Sequence, residues 1–203
     1  MARDKLDIVN QALILLGDDP IESLETDTGA GAETARLIYN RVIKALFTID
    51  GYKFRFAVKQ YKLNQIQQPP MDAEEGGYKY AYSLPSDYLT LVSINSSCDY
   101  QIYGNELRTD DTNLILDYIA QVDEQQWPAY FEEMAVYQLA VELCKPVTDD
   151  STLKSELAMQ FDMKKRNAKV TDSKAVPNKQ VGSSPLIAAR MGGRSRFGTR
   201  SRW

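Results

Sequence analysis

The residues best suited to proton chemistry in this 203-residue chain are pairs of adjacent carboxylates: Asp18/Asp19, Glu74/Glu75, Asp110/Asp111, Glu132/Glu133 and Asp149/Asp150. Glycoside hydrolysis needs two carboxyl groups facing each other across a sugar, one of them with a raised pKa. Adjacent acids in polar turns read instead as solvated surface or helix caps, so no catalytic residue is assigned. The chain has no histidine, which removes Ser-His-Asp catalysis, Cys-His catalysis and His-ligated metals together. Cys98 and Cys144 make no disulfide framework and sit in no metal-type pair; both read as small buried hydrophobes. Gly29-Ala30-Gly31 lacks the Lys-Ser/Thr of a phosphate loop and reads as a flexible entry to a helix. The expectation is a protein without metal or cofactor, and not an enzyme.

Recognition chemistry is better represented. Tyr78, Tyr80 and Tyr82 with Lys79 resemble a base-stacking ladder, but alternating tyrosines are more simply one face of a strand. The C-terminal segment is more informative. From Ser173 onward there are seven basic residues (Lys174, Lys179, Arg190, Arg194, Arg196, Arg200, Arg202) and no acids. Residues 1–172 therefore carry 17 basic against 28 acidic groups, a net charge of −11. Such an asymmetry bears on partners rather than on fold. Arg190, Arg194, Arg196, Arg200 and Arg202 with Phe197 and Trp203 offer charge, bidentate donors and aromatic anchors. Docking into an acidic protein surface, nucleic-acid binding and a merely solvated tail all fit. The aliphatic Leu186-Ile187-Ala188-Ala189 favours the first, because a purely electrostatic tail has no use for it.

Four helices should position these groups. Leu6, Val9, Leu13 and Leu16 share one face of a helix over 5–16, which Asp4 can cap and Gly17 can end. Ala35, Ile38, Val42, Ala45, Leu46 and Ile49 mark a second over about 32–49. A third starts at Trp127-Pro128 with two apolar lines, Phe131/Ala135/Leu139/Leu143 and Tyr130/Met134/Tyr137/Val141. Two lines predict a wide buried stripe and a central helix, with Pro146 as its stop. A fourth spans about 151–168. Between the second and third the period becomes two. Tyr100–Tyr103 and Glu106–Thr109 flank the hairpin signal Gly104-Asn105, Leu114, Leu116, Tyr118, Ala120 and Val122 point one way, and Leu89–Ile94 is another strand.

The fold class expected is therefore α+β. Residues 1–64 and 124–171 form a four-helix bundle, residues 65–123 an inserted small antiparallel β-sheet, and residues 172–203 a disordered basic C-terminal arm. Gln65–Gly77 reads as a polar loop, and periodicity is lost after about Thr171. No apolar run approaches the roughly 18 residues of a membrane span, and the N-terminus lacks a signal-peptide core, so a cytosolic, membrane-free protein is expected.

In combination, several stretches resemble the tail tubular protein A, or head-to-tail adaptor (connector), family of short-tailed bacteriophages. They are Ile8-Val9-Asn10-Gln11-Ala12-Leu13 leading into Leu16-Gly17, Ala35-Arg36-Leu37-Ile38-Tyr39-Asn40, and Tyr82-Ser83-Leu84-Pro85-Ser86-Asp87-Tyr88. Tyr103-Gly104-Asn105-Glu106-Leu107 and Trp127-Pro128-Ala129-Tyr130-Phe131 follow, with Leu143-Cys144-Lys145-Pro146-Val147-Thr148-Asp149 last. The resemblance spans about residues 4–165. Where family members often carry a tryptophan after the second helix, this chain has Tyr52-Lys53-Phe54. The resemblance implies a virion structural protein, made in the bacterial cytoplasm and built into the tail neck. There it would form a ring of about twelve copies joining the portal protein to the next tail component. Duplex DNA would pass through without specific binding, which suits an acidic body, since each neutralised phosphate would add affinity. The implied portal-docking residues are Leu186, Ile187, Arg190, Arg194, Arg196, Phe197, Arg200, Arg202 and Trp203. A virion-associated peptidoglycan hydrolase and a nucleic-acid-binding module using the arginine-rich tail are the competing expectations.

Overall fold

The computed structural model of the protein describes residues 4–66 and 77–175. Helix α1 spans Lys5–Leu15 and begins at a reciprocal cap. The Asp4 carboxylate accepts from Lys5 N at 2.7 Å, and that of Asp7 accepts from Asp4 N at 3.4 Å. It ends where Gly17 takes a positive φ of 76°, the conformation that costs glycine nothing. Helix α2 (Ala30–Phe47) starts from Gly29. Its Gly31 is a place where only glycine fits without adjustment, because a Cβ there would lie 2.6 Å from Leu13 Cδ2 of α1.

Helix α3 (Ala129–Val147) buries Phe131, Met134, Ala135, Val136, Leu139, Ala140, Leu143 and Cys144. The stripe is wide, as expected, but it follows the first apolar line and adds Val136, Ala140 and Cys144, while Tyr130, Tyr137 and Val141 of the second line are half-buried. Helix α3 packs against both α1 and α2. Pro146 does not stop it as expected. Pro146 lies within the last turn of α3, and Thr148 N still reaches Cys144 O at 2.9 Å. Helix α4 runs over Ser151–Lys174. Asp150 opens it by accepting from Thr152 N at 2.8 Å and Leu153 N at 3.2 Å.

The β region forms two antiparallel sheets where one was expected. Strands β1 (Val58–Lys62), β4 (Tyr88–Ile94) and β7 (Ile115–Ala120) pair in the order β1-β7-β4. Strands β2 (Asn64–Gln65), β3 (Tyr80–Ser83), β5 (Tyr100–Tyr103) and β6 (Glu106–Thr109) pair as β2-β3-β6-β5. The chain changes sheet at buried Leu63, whose N–H bonds Leu114 O at 3.0 Å, while Ile66 N bonds Ala81 O at 2.8 Å in the second sheet. The register of β4 against β7 slips between Tyr88 and Thr90 and between Leu91 and Ser93. The β5–β6 turn falls at Gly104-Asn105 as expected, with Gly104 at φ 58°. In β7, Leu116, Tyr118 and Ala120 are buried, with Leu114 and Val122 beside it, and so is Ile119 between them, so burial in β7 is not confined to alternate residues.

Helices and sheets share one contiguous core. Its centre is an aromatic cluster where α2 ends and α3 begins. Phe131 has ring-centroid distances of 4.9 Å to Phe47, 5.1 Å to Phe54, 4.9 Å to Phe56 and 5.0 Å to Trp127. The indole N–H of Trp127 donates to Val122 O at 2.9 Å, so the end of the β region is pinned to the start of α3. No described helix is long and apolar enough to cross a membrane.

Candidate functional site

The nine arm residues from Leu186 to Trp203 lie outside the described residues, as does the Glu74/Glu75 pair. What the fold displays is the acidic body and the root from which the basic segment continues.

The loop between α1 and α2 carries Asp18, Asp19, Glu22, Glu25 and Asp27 and no basic residue. Asp27 is used internally: its carboxylate accepts from Glu22 N at 2.8 Å and Ser23 N at 3.1 Å. Asp18, Asp19, Glu22 and Glu25 are exposed. Among the described residues no group of three or more cysteine and acidic side chains is placed to hold a metal ion.

The other carboxylate pairs have local structural roles. Asp110 accepts from Lys79 N at 2.9 Å. Asp111 organises the turn before β5, accepting from the Ser97 backbone and hydroxyl at 2.7 and 3.0 Å and from the Ser96 hydroxyl at 3.1 Å. Glu133 pairs with Lys164 at 2.8 Å, tying α3 to α4. Asp149 takes a positive φ of 50° in the α3–α4 turn, and Asp150 is the cap already described. A general acid needs a raised pKa. Asp50, Asp87, Asp111 and Asp117 are all held below the ordinary carboxylate range. Asp50 is lowered first by the Lys169 hydrogen bond, Asp111 by the Ser97 backbone and Asp117 by the Gln60 amide. At Asp87 burial pushes upward, but hydrogen bonds from Lys59 and Tyr118 outweigh it.

The tyrosine ladder is not an open one. Tyr82 is 2% exposed and its hydroxyl donates to Asp111 O at 2.9 Å; Tyr78 and Tyr80 are half-buried. Cys144 is buried as expected, whereas Cys98 is exposed. Cys98 lies in the turn that Asp111 organises, outside any core-facing strand position, which is why its apolar character secures no burial.

Two features escape sequence patterns. The first is apolar exposure: Leu37 on α2 is 81% exposed, Met159 on α4 69% and Ile14 on α1 60%. On α4, Met159, Met163 and Val170 fall on one side at spacings of four and seven. The hairpin adds exposed Tyr100, Ile102 and Tyr103. The second is Asp172, a carboxylate only 1% exposed near the end of α4. It accepts from the Tyr130 hydroxyl at 2.8 Å, the Tyr52 hydroxyl at 3.0 Å and Arg55 N at 3.1 Å. Periodicity could not reveal it, because an apolar-repeat search treats an aspartate as a solvent position. For the same reason α4 continues beyond the point near Thr171 where periodicity fails: a polar anchor replaces the apolar one.

No family model matches the chain, and no curated protein matches it by sequence.

Proposed function

We propose that this chain is a head-to-tail adaptor subunit of a short-tailed bacterial virus, a virion structural protein that joins the portal to the tail as a ring and extends the DNA channel. The observation that carries the reading is the charge division between residues 1–172, at net −11, and a C-terminal segment without acids. A surface of that sign lets a polyanion slide, since binding duplex would require phosphate-neutralising cations. The basic segment with Leu186, Ile187, Phe197 and Trp203 then serves a protein partner, the portal. In this reading the four helices are the bundle that forms the body of the ring, and the two sheets are the projection.

Exposed apolar side chains support it. A closed ring of copies uses heterologous contacts, in which one face of each subunit meets a different face of the next. Ile14, Leu37 and Met159 place apolar surface on three different helices, α1, α2 and α4, available for more than one contact. Portal and the next tail component are the partners, and many arms acting together supply avidity that one lacks.

The test is capture by purified portal rings. The full chain binds, and a chain lacking Ser183–Trp203 keeps the fold's circular dichroism and loses capture. Undiminished capture by the shortened chain would remove the docking role of the arm.

A further inference from the structure

We propose that Asp172 is a latch that holds the last three turns of α4 on the body, and that its release lets Lys165–Lys174 unwind while the rest of the protein stays folded. The inference goes beyond the adaptor reading and does not depend on it.

The two halves of α4 are attached differently. The first half buries Leu157 and Phe161; beyond Phe161 the buried residues are Ala168 and Asp172. One methyl group is a small apolar anchor, so attachment of the second half falls to polar contacts. Most of these come from the segment Asp50–Arg55, the linker between α2 and β1, and one comes from α3. The Asp50 carboxylate bonds Lys169 Nζ at 2.8 Å and lies 3.6 Å from Lys165 Nζ. Asp50 itself sits at φ 52°, in the left-handed region that redirects the chain towards α4. The Tyr52 hydroxyl lies 3.0 Å from both Lys169 O and Asp172 Oδ2 and shares its one proton between them, and Arg55 N likewise shares its N–H between both oxygens of Asp172. Tyr130, at the start of α3, donates to Asp172 Oδ1.

The energetic weight falls on Asp172. The Asp50 ion pairs are solvent-facing, and such pairs contribute little. Hydrogen bonds to a buried carboxylate are among the stronger ones, and removing their acceptor leaves donors unsatisfied. Without Asp172 the helix end keeps one buried methyl, the Tyr52 hydroxyl on Lys169 O and the two partly exposed Asp50 ion pairs. A helix end held so weakly opens on its own, as low-stability segments do. The consequence is reach. Ten residues span about 15 Å as helix and about 33 Å extended, so release adds roughly 18 Å to the chain from which residues 176–203 continue.

Hydrogen exchange on the full-length chain tests this, with wild type, Asp172→Ala and the Tyr52→Phe/Tyr130→Phe double variant. The double variant keeps both rings in place and removes only their hydroxyl donors. The expected result is protection of 165–174 in wild type and exchange there faster by about tenfold or more in both variants. Exchange in α1 and in Phe131–Leu143 stays unchanged, and trypsin gains access at Arg166 and Lys169. Four results would overturn the proposal: no protection in wild type, no acceleration in either variant, acceleration with Asp172→Ala alone, or acceleration spread equally over α1, α2 and α3.

Discussion

Phe131 stacks on Phe47 with ring centroids 4.9 Å apart and planes inclined by 28°. That contact joins the first turn of α3 to the last of α2. Because Phe54, Phe56 and Trp127 pack on the same Phe131 ring, it also ties the entry and exit of the β region to the helices. Phe131→Ala should therefore cost about 3–5 kcal/mol. Urea unfolding reads the loss as a lower midpoint with unchanged slope, and Phe131→Leu should retain part of it.

Gly31 and Leu13 set how closely α1 and α2 approach. A Cβ at position 31 would meet Leu13 Cδ2 at 2.6 Å, so Gly31→Ala should destabilise by about 1–3 kcal/mol. In a double-mutant cycle with Leu13→Ala, the combined loss should fall short of the sum of the single losses, because the second change removes the clash. Strict additivity would contradict the packing described.

Asp87 ties the two edge strands of the first sheet to its centre, bonding Lys59 of β1 at 2.8 Å and Tyr118 of β7 at 2.8 Å. Its depressed pKa fixes one sign. The stability it contributes is present above the unfolded carboxylate value near 4 and is lost as pH falls through the lower folded value. The stability gap between wild type and Asp87→Asn should thus be largest at neutral pH and narrow in acid. Tyr118 carries the opposite sign. Burial, then Asp87, push its hydroxyl up to about 12, so its contribution is full below pH 10 and disappears as pH rises through about 12. Tyr118→Phe should flatten part of the alkaline loss of stability.

How much of this was legible in the sequence follows from what each element uses to hold itself. Helix α3 announces itself because its first apolar line is core throughout, although only Met134 of the second is fully buried, and β7 through Leu116, Tyr118 and Ala120, although Ile119 between them is buried as well. The β5–β6 hairpin is marked by a glycine that the turn requires. Strand β1 is not legible: only Val58 of its five residues is even half-buried, so no apolar alternation marks it. The split into two sheets, with the chain crossing at Leu63, is a tertiary matter. Asp172 and the last turns of α4 stay hidden because polar anchoring has no period. Of the candidate site, the Asp110/Asp111 and Asp149/Asp150 pairs were readable as turns and caps, Glu132/Glu133 lies instead within α3, and the arm is known by its composition alone.

If the acidic body lets DNA slide, a chain ending at Ala175, which keeps the whole shared core, should show no duplex retention at physiological ionic strength. The full chain should show at most weak retention that falls steeply with salt. Salt-resistant retention by the shortened chain would contradict the conduit.

A carboxylate enzyme makes a different prediction, and turbidity of bacterial cell walls separates the two. The adaptor reading expects no clearing by the full chain. Clearing abolished by a single change such as Glu133→Gln or Asp111→Asn would establish the hydrolase instead.

The most direct measurement is electron microscopy of the full-length chain mixed with portal rings. The adaptor reading predicts a second ring seated coaxially on the portal, absent when Leu186, Ile187, Phe197 and Trp203 are changed together to alanine. Portal rings left bare at saturating concentrations of the full chain would contradict it.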